Sequence, residues 1–567
     1  MQEQIIETKK CRTCNSNFDI YKKDMELLDK LSPVFLWEKF NFPIPLECPI
    51  CRRQKRLAWR NSHNLYRRKC DFSWKDILAF YNDEVKHPVY DIDIWESDVW
   101  NAMDYGQDFD FSRNFFEQFE ELNNKVPHFS RSILNFENSD FCNNAANLKN
   151  CYLCFNGWEA EDSYYSITFK NIKNCVDCLW INDSEHCYES IDLETCSKVF
   201  FSKNCNSCYS SYFLKNCSNC NNCFWSKNLV NKEYCIFNKQ YSKEQYKLEL
   251  SKLFKENDIE QLKLITKEFF KKLPEKYSHW VNKENSSWDY INDSKDVFSW
   301  YWIRWWENIR YCTNINTNSK NLIDVDIFWW WLHNSYNSVI IWHNVNRIFC
   351  SFECLDNLDN IFYCIMTIRN SKNCFWCVWL IWKEYCIFNK QYTKEEYEEL
   401  VPKIIKHMQD TGEWWNFFPP TLSSYWYNQT EWNVYEIMDK EEALKKWFKW
   451  SNYQKPFPKV SKIIPADKLP KDIKDIPDDI LNWAIECEVT KKPFRIIKQE
   501  LEFYRKHNLP VPKRHPDQRH LDRMALRNPR KLYDRKCDKC SVDMKTTYSP
   551  DREEIVYCGE CYDREVY

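Results

Sequence analysis

The sequence predicts a mostly β fold with α additions: a cysteine-rich β-solenoid core flanked by small zinc-finger modules at both ends. Three observations support this class. A segment near the start of the chain recurs near its end, and both copies carry cysteine pairs. Between the copies, cysteines recur at regular steps among short β-prone pieces. The decapeptide KEYCIFNKQY occurs twice in the middle, each time before a charged helical segment.

The terminal repeat aligns residues 48–95 with residues 515–562 without a gap, at an offset of 467. CPICRRQKRLAWRNSHNLYRRKCD in the first copy corresponds to HPDQRHLDRMALRNPRKLYDRKCD in the second. We interpret each copy as a tandem of two small zinc fingers. Each copy has kept the metal ligands of a different finger. The two copies together therefore indicate a module with two metal-binding fingers.

The ligand positions show this division. The first finger has Cys11, Cys14, Cys48 and Cys51 at the front, against Cys487, Thr490, His515 and Gln518 at the back. The second finger has Cys537, Cys540, Cys558 and Cys561 at the back, against Cys70, Ser73, Asp91 and Ile94 at the front. Two CxxC turns direct four thiolates at one tetrahedral Zn²⁺ and leave no position for water, so such a site is structural. We therefore expect two structural Zn²⁺ ions.

Part of the chain resembles a known family. Cys11-x2-Cys14, Phe18, Pro45 and Cys48-Pro49-x-Cys51-Arg52 resemble the treble-clef "probable zinc-binding domain" family of bacteria. The back segment from Cys537 to Tyr567 is similar to a second small treble-clef type. The whole arrangement resembles large uncharacterised proteins of uncultured, small-genome bacteria. The resemblance implies treble-clef fingers with bound zinc at both ends, and it implies no particular activity.

The composition is poor in glycine and rich in tryptophan, with 4 glycines and 28 tryptophans. Turns that need a positive φ normally use glycine. We hypothesise that many of these tryptophans stand for UGA codons that the source reads as glycine; the alternative is genuine aromatic enrichment. The formal net charge of −3 gives no global attraction to nucleic acid. MQEQIIETKKC lacks an apolar signal segment, so we predict a cytoplasmic protein without a membrane partner.

The cysteines of the middle region form a periodic series. Cys154, Ser166, Cys175, Cys187, Cys196, Cys208 and Cys217 follow one another in alternating steps of 12 and 9, which predicts a repeat of 21 residues. Cys350, Cys354, Cys364, Cys374 and Cys377 mark a second region with a step of about ten residues. Such periods with short strands and polar corners are typical of a β-solenoid. The alternative is that CxxC pairs here bind more zinc or an iron–sulfur cluster, or act in redox exchange.

The two copies of KEYCIFNKQY, with the helical segments 242–272 and 393–409 that follow them, are predicted to cap the two solenoids. Thr393 and Glu396 have the spacing of a capping box. The predicted domains are a tandem module (1–100), an acidic and aromatic connector (101–141), the first solenoid (142–241), a helical segment (242–284), the second solenoid (285–392), a helix with a proline-rich linker (393–480) and a second tandem module (481–567).

Arginines follow the first finger in both copies of the repeat. The predicted nucleic-acid-binding residues are Arg52, Arg56, Arg60, Arg67, Arg68, Arg519, Arg523, Arg527 and Arg530. Arginines at i, i+4 and i+8 share one helix face, and their guanidinium groups fit phosphate oxygens, so contact with RNA or DNA is the leading hypothesis. The alternative is that they pair with acidic neighbours, such as those in 83–121, and hold the module to the solenoid.

Three functional classes therefore remain. The first is a non-enzymatic zinc protein that contacts nucleic acid through its arginine-rich helices. The second is a protein-interaction scaffold whose partner binds the solenoid face, with zinc purely structural. The third is an enzyme, and it is the weakest, because the zinc sites are closed and the chain has no phosphate-binding loop or nucleophile elbow. We predict no catalytic residue.

Overall fold

The computed structural model describes residues 3–284, 288–298, 300–329, 331–454, 456 and 458–566. Most of its regular elements are strands, with helices beside them. Two long and mostly parallel sheets dominate the fold. We call the sheet of residues 133–240 the first ladder and the sheet of residues 280–391 the second ladder. The front module, residues 5–95, precedes them, and the back module, residues 462–566, follows them.

The front module consists of short antiparallel hairpins and helices. Its elements are β1 (Ile5–Lys10), β2 (Asn17–Tyr21), α1 (Lys22–Leu31), β3 (Val34–Phe35), β4 (Glu38–Lys39), α2 (Pro49–Leu57), β5 (Tyr66–Lys69), β6 (Asp76–Ala79), β7 (Val89–Tyr90) and α3 (Ile92–Trp95). Cys48 is the N-cap of α2, and Pro49 occupies its first position. Proline suits that position because its φ is already helical and it has no N–H to leave unpaired.

A connector follows the front module. It contains a 3₁₀ turn (Ala102–Tyr105), α4 (Phe115–Lys125) and β8 (His128–Phe129). The ring of Phe115 stacks 4.0 Å from that of Trp376 in the second ladder. The Lys390 amine lies 2.6 Å from the Asp108 carboxylate. The acidic and aromatic stretch therefore covers the second ladder, although the chain enters the first ladder next.

The first ladder has strands β9 (Ile133–Glu137), β10 (Asn143–Lys149), β11 (Phe155–Glu161), β12 (Ile167–Lys173), β13 (Leu179–Glu185), β14 (Ile191–Glu194), β15 (Ser197–Phe200), β16 (Lys203–Asn206), β17 (Tyr209–Ser218), β18 (Phe224–Lys227), β19 (Cys235–Ile236) and β20 (Lys239–Gln240). Phe155 pairs with Ile167, and Ile167 pairs with Leu179, so paired residues lie at i and i+12. The predicted repeat, which joined one step of 12 to one step of 9, is therefore wrong. Residues 12 positions apart stack on one another and form a column of side chains along the ladder. Residues 9 positions apart lie in neighbouring columns.

The backbone of the first ladder explains its Asn-Cys pairs. Every third residue between 144 and 237 has a positive φ, and the residue after it is buried at nearly every step. Asn174, with a φ of 52°, precedes the buried Cys175 in this way. Asparagine tolerates the left-handed region better than most residues, which suits it to these corners. Inside, the hydroxyl of Ser163 accepts a hydrogen bond from the N–H of Cys175, one repeat later.

Two helices and a short strand follow the first ladder: α5 (Lys243–Glu256), α6 (Ile259–Lys271) and β21 (Glu275–Lys276). The second ladder then has β22 (Trp280–Glu284), β23 (Trp288–Phe298), β24 (Trp300–Arg310), β25 (Thr313–Trp329), β26 (Leu332–Trp342), β27 (Val345–Phe349), β28 (Phe352–Leu355), β29 (Asp359–Phe362), β30 (Lys372–Phe375), β31 (Glu384–Ile387) and β32 (Lys390–Gln391). Its predicted start, residue 285, lies outside the described residues.

In its middle part, the register of the second ladder is longer by one position than that of the first ladder. Between β25 and β30 the paired residues lie at i and i+13, whereas β30 pairs with β31 at i and i+12. The extra residue sits at a corner where two successive residues have a positive φ, as at His343 and Asn344 and again at Asp356 and Asn357. The predicted step of about ten is therefore wrong here as well, since cysteines from several columns were counted together.

Both ladders end in the repeated decapeptide, which forms the hairpins β19–β20 and β31–β32. The predicted helices after them are present, and α7 (Lys394–Asp410) begins with the predicted capping box. The hydroxyl of Thr393 accepts a hydrogen bond from the N–H of Glu396, and the Glu396 carboxylate accepts one from the N–H of Thr393.

Residues 412–450, which precede the prolines of the predicted linker, pack into the protein. They contain 3₁₀ turns (Pro420–Leu422 and Tyr427–Gln429), α8 (Trp432–Tyr435) and α9 (Lys440–Lys445). Trp414 and Phe418 are fully buried. The Phe418 ring lies 5.0 Å from that of Trp59 in the front module and 4.9 Å from that of Phe119 in the connector. Aromatic contacts therefore join this segment to the front module and to the connector.

The back module repeats the organisation of the front module. Its elements are β33 (Lys462–Pro465), 3₁₀ turns (Ala466–Lys468, Ile473–Asp475 and Asp478–Asn482), β34 (Trp483–Glu486), β35 (Pro493–Phe494), α10 (Lys498–His507), α11 (Pro516–Ala525), β36 (Tyr533–Lys536), β37 (Asp543–Thr546), β38 (Val556–Tyr557) and α12 (Gly559–Val566). By the sequence repeat, α11 corresponds to α2. We call α2 and α11 the arginine helices.

Candidate metal centres and arginine contacts

Two sets of four cysteines form compact clusters, one in each module. Cys11, Cys14, Cys48 and Cys51 make the first cluster, and Cys537, Cys540, Cys558 and Cys561 make the second. Within each set all four sulfurs lie within 4.8 Å of one another. The Sγ atoms of Cys14 and Cys48 are 3.7 Å apart, as are those of Cys540 and Cys558. Tetrahedral Zn–S bonds of about 2.3 Å place sulfurs about 3.8 Å apart, so both clusters fit a metal ion.

One thiol in each cluster has a lowered pKa, which favours the thiolate, the form that binds metal. The thiol of Cys51 hydrogen-bonds to Cys48 and lowers the pKa of Cys48 to about 7. Burial alone would raise the pKa of Cys537, but backbone N–H groups, led by that of Cys558, lower it to about 6. The pKa values of Cys51 and Cys561 are instead raised, mainly by hydrogen bonds to neighbouring thiols, so one thiol of each cluster ionises more readily than another.

All four finger positions keep the same turn, whether or not the ligands survive. The residue four positions after the first cysteine has a positive φ and donates its N–H to the carbonyl of that cysteine: Asn15 to Cys11, Trp74 to Cys70, Lys491 to Cys487 and Ser541 to Cys537. The two incomplete fingers therefore fold as the complete ones do. Their single cysteine sulfur still accepts backbone N–H groups, such as those of Ser73 and Asp91 on Cys70.

In both incomplete fingers, a side-chain helix cap occupies the third ligand position. Asp91 corresponds to Cys558, and its carboxylate accepts the N–H of Asp93 at the start of α3. His515 corresponds to Cys48, and its Nδ1 accepts the N–H of Asp517 at the start of α11. Such caps satisfy helix N–H groups that would otherwise lack a partner. In these fingers a hydrogen-bonded cap therefore stands where the complete fingers have a cysteine.

The cysteines of the ladders do not form comparable clusters. Over the part of the chain that the structure describes, the two terminal sets are the only groups of three or more potential ligands close enough to share an ion. Cys175 and Cys178 are fully buried, and burial raises the pKa of both thiols well above the usual range. Buried neutral thiols act as small apolar side chains. This arrangement favours packing for the ladder cysteines.

The front arginine helix docks on carboxylates of the second ladder. Arg52 Nε donates to Asp324 at 2.8 Å, and Arg56 Nε donates to Asp326 at 2.7 Å. Arg56 Nη1 also lies 3.3 Å from Asp324, while Arg53 lies 3.6 Å from Asp326. The side chains of Arg56 and both aspartates are 0% exposed. Burial alone would lower the pKa of Arg56, but the two carboxylates raise it, so the arginine is charged.

The back arginine helix docks on the first ladder in the same manner. Arg519 Nη1 and Arg523 Nη1 both donate to Asp177, the second at 2.7 Å. Arg519 also lies 3.5 Å from the Glu500 carboxylate. Asp177 is fully buried. Tyr165 lies in the same contact, because its ring is 4.4 Å from the Arg519 guanidinium carbon.

Asp177 and Asp324 hold equivalent positions in the two ladders. Asp177 follows Val176, from which five pairing steps lead through Tyr188, Phe200, Tyr212 and Phe224 to Ile236 in the end hairpin. Asp324 follows Ile323, from which five steps lead through Tyr336, Phe349, Phe362 and Phe375 to Ile387. Each module therefore docks at the same place, but on the ladder that is farther from it in sequence.

The other predicted nucleic-acid-binding arginines also contact the protein itself. Arg60 donates to Asn156 at 2.6 Å, and Arg68 donates to Asp71 at 2.9 Å. Arg67 lies over the Phe141 ring, Arg527 lies 3.4 Å from Asp192, and Arg530 donates to Asn314 and to the Tyr435 hydroxyl. Only Arg67 of the predicted set is exposed. These positions therefore give no support to contact with nucleic acid.

Sequence reasoning missed the acidic partners. The arginines pair with acidic residues, but the partners lie in the ladders and not in residues 83–121. The sequence does contain a sign of these partners. Val176-Asp177 and Ile323-Asp324 both place an aspartate at a corner directly after an apolar residue. It could not be recognised before the registers of the two ladders were known.

No protein-family model matches this sequence, and neither does any curated protein. Among the helices described here, none combines the length and the apolar composition needed to cross a membrane.

Proposed function

We propose that the protein is a non-enzymatic scaffold, in which two β-solenoids are locked together by zinc-stabilised modules of the treble-clef type. The observation that carries this proposal is the docking of both arginine helices on buried ladder carboxylates. An arginine engaged in this way serves the architecture, because removing its partner would leave a buried unpaired charge. The paired cysteine clusters supply the rigid turns from which the modules are built.

The surface for a partner is the polar face of the first solenoid. Lys149, Glu161, Lys173 and Glu185 follow one another there as directly paired positions of successive strands. Lys173 pairs with Glu161 at 2.6 Å, and these side chains remain substantially exposed. Solenoids commonly present an extended repeating surface to a protein partner. An alternating row of charges also gives specificity through complementary charges on the partner.

Metal analysis tests the zinc part of the proposal. Native mass spectrometry should find two zinc ions per chain, and one after either Cys11→Ser or Cys561→Ser. Cys187→Ser, at a ladder position, is the matched control and should leave two. Zinc well above two would show that ladder cysteines bind metal, and no zinc in freshly purified protein would refute the metal sites.

The nucleic-acid hypothesis is tested beside the scaffold proposal. We expect no salt-sensitive binding to single-stranded RNA or duplex DNA, since counterion release requires phosphate-binding cations at the surface. A protein partner should be retained by the wild type and by Lys545→Glu, and it should be lost by Lys149→Glu/Lys173→Glu. Salt-sensitive binding to nucleic acid that disappears in Arg67→Ala would favour the nucleic-acid function instead.

A further inference from the structure

We propose that metal at the first cysteine cluster controls the docking of the front module, whereas the docking of the back module is independent of metal. This inference rests on the proposed metal binding. It concerns two contacts that are equivalent in geometry: α2 on Asp324 and Asp326, and α11 on Asp177. The two helices differ in what holds their first turn.

The first turn of α2 depends on the metal cluster. Cys48 is the N-cap of this helix and Cys51 lies in its first turn, so the helix supplies two of the four ligands. No side chain caps the helix at Cys48. Arg52, which pairs with Asp324, is the residue after Cys51. A helix of nine residues is marginal by itself, so release of the metal removes the main support of this turn.

The first turn of α11 is held without a metal. His515 caps the helix through the N–H of Asp517. Gln518, which occupies the position of Cys51, donates to the Asp522 carboxylate at 2.8 Å. Arg514 pairs with the same carboxylate at 2.8 Å. These bonds replace the metal at the incomplete finger, so Arg519 and Arg523 keep their position when metal is removed.

The intact cluster of the back module lies elsewhere. Its ligands surround β38 and the start of α12. β38 pairs with β21, and the Tyr548 hydroxyl donates to Glu275 at 3.3 Å. Loss of this second metal therefore loosens the end of the back module at β21, and not the contact between α11 and Asp177.

Front docking is cooperative because its carboxylates are deeply buried. Asp324 and Asp326 cannot be left charged and unpaired in the interior without a large cost. When α2 loses its first turn, the strand that carries them must also open to water. Release of the arginines and opening of the strand therefore occur together, and amide hydrogen exchange can follow both.

Amide exchange of the full-length chain, before and after zinc removal with a chelator, tests the inference. We expect the amides of α2 and of residues 320–326 to exchange about tenfold faster or more after chelation, and those of α11 to change less than about twofold. Cys51→Ser should reproduce the change in α2 without added chelator. Cys561→Ser should increase exchange at β38 and β21 and leave α2 protected.

The exchange rates of α2 and α11 after chelation decide between the possibilities. Equal acceleration of α2 and α11, or protection of α2 in metal-free protein, overturns the inference. Absence of zinc before chelation would instead refute the metal sites on which it rests. If Cys51→Ser fails to fold, chelation of Cys561→Ser still decides, because that variant retains the front cluster alone.

Discussion

At the scale of single residues, the most costly groups are the buried charges of the arginine contacts. Arg56 touches both Asp324 and Asp326, and none of the three side chains reaches solvent. Removing one member of a buried ion pair typically costs about 3–5 kcal/mol, because the remaining charge is neither hydrated nor compensated. The contact therefore specifies where the module docks more than it adds net stability.

Arg56→Ala should lower the free energy of unfolding by about 3–5 kcal/mol. The matched control is Lys69→Ala, since Lys69 and Asp76 form a pair 2.8 Å apart on the surface. Exposed pairs contribute less than about 1 kcal/mol, so this change should be nearly neutral. Urea unfolding followed by circular dichroism measures both. Similar losses for the two variants would contradict the role given to Arg56.

The backbone supports the hypothesis that tryptophans replace glycines. Inside the ladders many residue types share the positive φ of the corners, so only tryptophans outside them bear on the question. Four such tryptophans have a positive φ: Trp37, Trp74, Trp415 and Trp447. A bulky residue in that region is an outlier, whereas glycine adopts it freely. Trp37 is the second of two left-handed residues in the β3–β4 turn, where glycine is strongly preferred.

Trp37→Gly should stabilise the protein, by up to about 1 kcal/mol, because the left-handed penalty disappears. The Trp37 side chain is 98% exposed, so it has little packing to lose. Trp95, which is buried and has no positive φ, is the control, and its change to glycine should destabilise by several kcal/mol. Thermal unfolding compares them. Peptide masses from the native source that show tryptophan at position 37 would exclude the codon hypothesis there.

Two buried histidines make stability sensitive to acid. The rings of His87 and His128 stack 3.6 Å apart. Burial lowers the pKa of His87 to about 3 and that of His128 well below its usual range. The unfolded chain takes up protons near pH 6.5 while the folded chain does not, so stability is lost as the pH falls below that value. One unit of pH corresponds to about 1.4 kcal/mol for each histidine.

The double variant His87→Gln/His128→Gln should have a lower stability at pH 7 but a flatter dependence between pH 6.5 and 5. Glu353 has the opposite effect on the pH dependence of stability. Burial raises its pKa to about 7, so its contribution to the free energy of unfolding grows as the pH falls. Urea unfolding gives the free energy of unfolding of both proteins at each pH. Subtracting the variant's values from those of the wild type cancels the Glu353 contribution. If the free energy of unfolding depends on pH in the same way in both proteins, the two histidines are not the cause of the acid sensitivity.

At the scale of elements, the sequence predicts what depends on local spacing and fails where the spacing mixes residues of different columns. The CxxC turns predict both cysteine clusters, because the residues of a tight turn are neighbours in sequence. The predicted repeat is wrong, because Cys187 and Cys196 lie in adjacent columns of one ladder and only a step of 12, as from Val176 to its partner Tyr188, marks a full repeat. The arginine partners could not be predicted, since Asp324 is 272 residues from Arg52.

At the scale of the whole molecule, the two modules cross over. Through α2 the front module docks on the second ladder, and through α11 the back module docks on the first, so the contacts of Arg56 and Arg523 both join the two halves of the chain. Arg60 and Arg530, which lie beyond these helices, also reach the nearer ladders. A chain folded in simple succession would place each module on the nearer ladder. The crossing makes each half depend on the other, and it places most long-range charge pairs between halves rather than within them.

Cleavage between the ladders tests this crossing. A protease site inserted between Lys272 and Leu273, after α6, would divide the folded chain into a half with the first ladder and a half with the second. We expect the cleaved protein to elute from a sizing column as one species with the mass of the intact chain. Association alone does not prove the crossing, because β21 also reaches Lys215 across the cut through Glu275.

The arginine variants separate these contributions. In a crossed molecule, Arg56→Ala and Arg523→Ala both remove contacts that join the halves, so the cleaved double variant should dissociate at lower urea concentration than the cleaved wild type. In a molecule folded in succession, the same changes would act within each half and leave association unchanged. Lys69→Ala with Lys545→Ala serves as the control, because both pairs lie within single modules. Dissociation of all three cleaved proteins at the same urea concentration would contradict the crossing, since the buried arginine contacts would then contribute nothing to holding the halves together.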